Sequence, residues 1–226
     1  MKSGVNARPA ARALGGLIAL LALTAIAPAK AAGGKVEGDV RDFRVGMNVS
    51  ELPAKGYVDF ACGHNGGKPE PAVESWLDYA RCPADAEGLH EVAFKYDDSE
   101  VLHERYEGTA IASHPVLISL LINDQAVVEG IRIVTDPFAR AYDKRRARTF
   151  QKKVKIRYGE DGWDCINDQP DQGEGAVATV FIKERCTKSL PGRVLSLYTR
   201  FYRVVAGTGT EVVNEVRLEI RYSPEA

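Results

Sequence analysis

PVLISLLINDQAVVEGIRIVT, residues 115–135, holds two runs rich in branched apolar side chains, 116–122 and 126–134, on either side of Asn123, Asp124 and Gln125. Two such runs around a short polar turn signal a β-hairpin. Directly after it, Thr135 or Asp136 can serve as a helix N-cap and Pro137 suits a first helical turn. The helical period then extends over residues 138–158 and stops at Gly159. Ala147, Phe150, Val154 and Tyr158 form an apolar stripe that Phe138 and Tyr142 begin, while Arg140, Lys144, Arg148 and Lys152 form a basic stripe at four-residue spacing. A hairpin leading into a long amphipathic helix predicts an α+β fold.

Working outward, Asn48 precedes Glu51 by three residues, the capping-box arrangement for a short helix. Residues 57–62, 76–82 and 89–96 read as strands on the N-terminal side. Residues 163–165, 176–186, 194–205 and 212–222 do so on the C-terminal side. The chain therefore divides into a signal peptide (1–31), a first α+β module (32–136) and a second (137–226) that begins with the long basic helix. Arg81-Cys82 and Arg185-Cys186 punctuate the two halves alike. The fold expected is two helix-plus-antiparallel-sheet halves, either a tandem repeat or two halves that merely share punctuation. Four cysteines allow three pairings. Cys62–Cys82 and Cys165–Cys186 close local loops of matched size, so each half receives one local disulfide.

The compartment is read from the first residues. Lys2, Arg8 and Arg12 precede an apolar run at 13–27, and Ala29 and Ala31 give the small-x-small pattern of a signal-peptidase site. The run is shorter than the roughly 20 apolar residues that span a bilayer. No cysteine lies near the cleavage point, so a lipid anchor there is not expected. Export to the periplasm follows, with no integral membrane segment after cleavage. Export also suits four cysteines, because disulfides persist in oxidising compartments. Losing residues 1–31 removes Lys2, Arg8, Arg12 and Lys30 and no acid, which takes the net charge from −1 to −5. That balance excludes a general nucleic-acid binder. The remaining charge is unevenly placed: nine cations fall between Arg140 and Arg157, against Asp143 alone. Such a run is either a solvated helix face or a docking face for an acidic protein or an anionic lipid surface.

Motifs for chemistry are sparse. There is no Gly-x-Ser-x-Gly and no HExxH spacing among His64, His90, His103 and His114. Cys62-Gly63-His64 lacks the paired ligand spacing of a zinc site. Asp164, Asp168, Asp171 and Glu174 cluster in a loop but do not meet the EF-hand pattern, and read as solvated charge. No cofactor is expected.

Residues 44–51 (RVGMNVSE), 76–79 (WLDY) and 92–94 (VAF) resemble the exported beta-lactamase-inhibitor-protein-like and BamE/SmpA-like proteins. That resemblance implies a non-enzymatic protein that binds another protein or an envelope component. Arg140, Lys144, Arg148 and Lys152 are the expected contact residues. A hydrolase or isomerase with a site scattered in sequence is the alternative, as is a metal or small-ligand carrier using the first-half histidines.

Overall fold

The computed structural model describes residues 39–63, 71–97, 109–206 and 209–225. The signal peptide, His64 and His103 lie outside the described residues.

The hairpin at the centre of the chain forms as expected. Strands β4 (His114–Ile122) and β5 (Val128–Thr135) pair antiparallel, Ile118 opposite Ile133 and Leu120 opposite Ile131. Asn123 shapes the turn, its side-chain oxygen accepting from the amides of Gln125 and Val127 at 3.0 Å each. The α+β expectation is overturned. The other strands are β1 (Tyr57–Cys62), β2 (His90–Tyr96), β3 (Ala110–Ile111), β6 (Asp164–Asn167), β7 (Glu174–Gly175), β8 (Ile182–Leu190), β9 (Arg193–Ala206) and β10 (Gly209–Tyr222). They join β4 and β5 in one antiparallel sheet of order β1-β2-β4-β5-β10-β9-β8-β6, with β3 on β4 and β7 on β9. Two short α-helices accompany it among the described residues: α1 (Ala141–Arg145) and α2 (Ala147–Tyr158). The fold is therefore mostly antiparallel β.

The expected halves do not exist as separate helix-plus-sheet units. β5 pairs with β10, Ile131 opposite Ile220 and Ile133 opposite Leu218, so a strand of each half lies side by side in the same sheet. The shared Arg-Cys punctuation also falls in unlike places. Residues 76–82, read as a strand, form a 3-10 helix (Trp76–Arg81) ending at Cys82, whereas Arg185-Cys186 lies inside β8. The reason is local. Ser75 accepts from the Leu77 amide while Asp78 reaches back to the Ser75 amide, a capping box that outweighs the apparent alternation. The Asn48/Glu51 box is present too, on a 3-10 turn of three residues.

The long helix is also shorter than expected. Asp136 accepts from the Phe138 amide at 2.7 Å, which fixes Pro137 and Phe138 in a turn. Arg146 then leaves helical geometry (φ −97°, ψ 8°) and divides α1 from α2. Ala147, Phe150 and Val154 are buried as read, but Phe138 and Tyr142 are 70% and 64% exposed and start no buried stripe. Helix α2 ends at Gly159 as expected, with φ +91° there.

The sheet has two distinct faces. Toward α2 it presents Phe94, Ile118, Ile133, Leu218 and Leu197 in adjacent strands, each at most 3% exposed. Beneath β1 and β2 this core becomes aromatic, with Trp76 in edge-to-face contact with Phe43, Tyr57, Phe60 and Phe94. The opposite face carries polar groups in register: Ser119 opposite Arg132, Arg132 opposite Glu219, Glu219 opposite Ser196.

Cys62 is bonded to Cys82 and Cys165 to Cys186, the pairing set out from the matched loops. Cys62–Cys82 spans 20 residues and ties the Trp76 turn to β1. Closing a loop of that size is worth about 3 kcal/mol in the chain-entropy treatment. We expect Cys62→Ala/Cys82→Ala to lower unfolding stability by about that amount in urea titrations followed by tryptophan fluorescence. A loss under about 1 kcal/mol would mean that aromatic packing alone holds the turn.

Candidate functional site

The basic segment is placed by α1 and α2. Its apolar side is committed to the sheet, so the cations are displaced to the flanks and the outer face. Arg140, Lys144, Arg148 and Lys152 are all exposed, the first pair flanking or on α1 and the second on α2. Of the nine cations between Arg140 and Arg157, Lys155 alone is ion-paired among the described residues, at 3.6 Å from Glu184. The others meet neutral groups or solvent. Arg146, for example, donates to the Tyr142 hydroxyl at 3.0 Å and lies over its ring. Phe138 and Tyr142 therefore stand exposed among cations.

The inner flank of α2 is a second cationic feature. Between the helix and the sheet is a cavity of about 380 Å³. Its floor is Ile133, Phe150, Val154 and Leu218, and its mouth carries Arg41, Lys153 and Arg157. Arg41 lies 3.4 Å above the Tyr96 ring, Lys153 donates to the Ala112 carbonyl, and Arg157 donates to the Asp39 carbonyl at 3.3 Å. None of the three has a carboxylate partner among the described residues. The nearby acids are engaged elsewhere. The Asp39 carboxylate, fully buried, accepts from the Val45 amide at 2.9 Å and faces Arg193 at 2.8 Å; Asp42 accepts from Tyr57 at 2.7 Å.

Comparison with known proteins finds no match to a family model, a curated protein or a solved structure. The chemistry must be read from the chain itself.

The remaining sequence candidates have structural partners. His90 lies between the Cys82 carbonyl (2.6 Å) and Asp124 of the hairpin turn (3.1 Å). The carbonyl contact, with Asp124 adding to it, holds its pKa above the ordinary histidine value against the effect of burial. His114 is buried and stacked on Phe150. Burial pushes its pKa down, Lys153 and Arg146 adding to the effect and Asp143 opposing it. Neither faces a nucleophile among the described residues. In the acidic loop, Asp168 is clamped by Arg185 through two hydrogen bonds, at 2.8 and 2.9 Å, while Asp171 and Glu174 take Lys183. Internal cations thus occupy three of the four carboxylates, while Asp164 is exposed at the start of β6. Cys165, Glu184 and Cys186 come within ligand distance of one another, but both sulfurs are joined in the disulfide and offer no thiolate.

Two features were missed from sequence. The cavity is one, because its parts come from residues 40–41, 96, 110–112, 133, 150–158 and 218. The other is a buried charge cluster on the far face of the sheet. Arg132 donates to Glu91 at 2.6 Å and to Glu219 at 2.7 Å, and Ser119 donates to Glu91 at 2.5 Å. Gly130 leaves room for Arg221 beside Glu219, since a Cβ there would lie 3.0 Å from the Arg221 side chain. An arginine in the middle of an apolar strand was the available signal, because arginine is almost never fully buried unless paired.

Proposed function

We propose that this chain is an exported, non-enzymatic binding protein that docks on an anionic lipid surface of the cell envelope through α1 and α2. One observation carries the reading: eight of the nine cations between Arg140 and Arg157 have no carboxylate partner among the described residues. Cations near an anionic membrane surface contribute about 1 kcal/mol each. The exposed Phe138 and Tyr142 favour lipid over an acidic protein, because aromatic side chains beside cations suit the headgroup boundary. No described helix is long and apolar enough to cross a membrane. Two disulfides support an oxidising compartment, and with the N-terminal pattern they support the periplasm. The resemblance carried by residues 44–51 likewise implies binding rather than catalysis.

Co-sedimentation with vesicles tests this. The protein should pellet with vesicles containing an anionic phospholipid and stay in solution with purely zwitterionic ones. Raising the salt should release it, since exposed charges are screened over about 10 Å at 0.1 M. Replacing Arg140, Lys144, Arg148 and Lys152 together by Gln should weaken binding at least about tenfold, with folding unchanged because all four are exposed. Native affinity in that variant, or failure to bind anionic vesicles at all, would sink the lipid reading; the second result would turn the search toward an acidic protein.

A further inference from the structure

We infer that the cavity beneath α2 binds a single-chain amphiphile with an anionic head, its tail on the apolar floor and its head among Arg41, Lys153 and Arg157. The site shares Lys153 and Arg157 with the basic segment but none of the four docking cations Arg140, Lys144, Arg148 and Lys152, and the inference does not depend on the docking reading. Size comes first: about 380 Å³ lies within the range of ligand pockets, roughly 300–1,000 Å³. The division of chemistry comes second. Ile133, Phe150, Val154 and Leu218 offer nothing to a polar ligand, so a free phosphate or a short carboxylate would leave the floor unused. A wholly apolar ligand would leave three cations at the mouth without a counter-charge among the described residues.

The rival explanation is a packing gap under a short helix, with cations at its edge by chance. The partners of those cations argue against it. Each is held by a neutral group, an aromatic face or a backbone carbonyl, while Asp39 and Asp42 at the same corner are turned to Arg193 and Tyr57. Among the described residues, charge is thus neutralised around the mouth but not at it. Arg41 takes its φ of +49° as a central residue of the tight turn that Val40 and Phe43 close. An anionic head in the mouth would complete the guanidinium and ammonium hydrogen bonding as charge-assisted contacts.

The ligand chemistry is shared by fatty acids and by alkyl or acyl phosphates, and the experiment separates them. Isothermal titration of the full chain, without vesicles and below micelle-forming concentrations, uses dodecanoate, dodecyl phosphate, dodecanol, acetate and inorganic phosphate. We expect one-to-one saturation by dodecanoate, dodecyl phosphate or both, the tighter of the two naming the head group. Dodecanol should bind at least tenfold more weakly, and acetate and inorganic phosphate should not saturate. Arg41→Gln/Lys153→Gln/Arg157→Gln should lose at least tenfold toward the anionic amphiphiles and little toward dodecanol. These side chains are exposed or half-buried, so the variant should fold. Ala110→Phe, which narrows the cavity, should weaken all long-chain probes. The variant lacking the four docking cations Arg140, Lys144, Arg148 and Lys152 should bind dodecanoate normally even where its vesicle binding is gone. Equal affinity for dodecanol and dodecanoate, native affinity in the triple variant, or binding of many molecules per chain would each overturn the assignment.

Discussion

Replacing Arg132 by Leu is expected to lower the free energy of unfolding by about 3–5 kcal/mol, the cost of leaving a buried charge cluster without its central partner. Arg132 is 8% exposed as a side chain, and Glu91 and Glu219 are 11% exposed. Glu219 keeps Arg217 and Arg221 nearby, at 3.8 and 3.5 Å, but at longer range than the 2.7 Å contact it loses. The same change made together with Glu91→Gln and Glu219→Gln should cost clearly less, because no uncompensated charge then remains inside. The pH dependence gives a second readout. In the native chain burial alone would raise the Glu219 pKa, but Arg132, helped by Arg217 and Arg221, more than offsets this and holds it below the usual carboxylate range. A depressed folded-state pKa gives stability that is present above the unfolded-state value and lost as pH falls through the folded one. In Arg132→Leu the burial persists and the main cation is gone. Acidification from pH 7 toward pH 5 should therefore stabilise the variant and give the native chain no such gain. Urea titrations at both pH values decide the matter. A loss below about 1 kcal/mol at pH 7 would show that water, and not Arg132, satisfies the two carboxylates.

This cluster marks where the sequence stops being legible. Local patterns identified what local physics sets: the hairpin of residues 115–135, strand β1, the buried positions of α2, its stop at Gly159 and the two disulfides. They failed where two local rules competed. Residues 76–82 carry both an alternation and a capping box, and the box prevailed. Residues 138–146 continue the helical period, yet the Asp136 turn and the break at Arg146 interrupt it. The fold class failed for a different reason. It depends on β5 finding β10 about 87 residues later, as in the Arg132–Glu219 contact, and nothing in either strand names its neighbour. The cavity and the charge cluster are products of that same pairing, so neither could be assembled before the sheet order was known. The four residues of the basic stripe needed no pairing to be seen and are exposed, but the break at Arg146 divides them: Arg140 precedes α1, Lys144 lies on it, and Arg148 and Lys152 lie on α2.

The anchoring of α2 gives the other large effect. Phe150→Ala is expected to cost about 3–5 kcal/mol, the range for removing a large aromatic side chain from a core. Phe150 is 1% exposed, stacks on His114 with ring centroids 5.8 Å apart, and lies over the sheet face formed by Ile133 and Leu218. Few other large apolar side chains hold the helix to the sheet. It is 12 residues long, lacks a side-chain cap at its N-terminus, and buries Ala147, Phe150 and Val154. A helix of that length is marginal in water, so its stability must come from this contact. The loss should therefore appear as early melting of helical circular dichroism, ahead of the sheet, and not as a uniform shift. Phe150→Leu retains most of the apolar volume and should cost distinctly less. If Phe150→Ala instead lowers stability by under about 1.5 kcal/mol with one concerted transition, the helix is held chiefly by its polar contacts, such as Gln151 and Lys155 with Glu184 and Tyr158 with the Asp39 carbonyl. The floor of the cavity would then be a consequence of helix placement and not its cause.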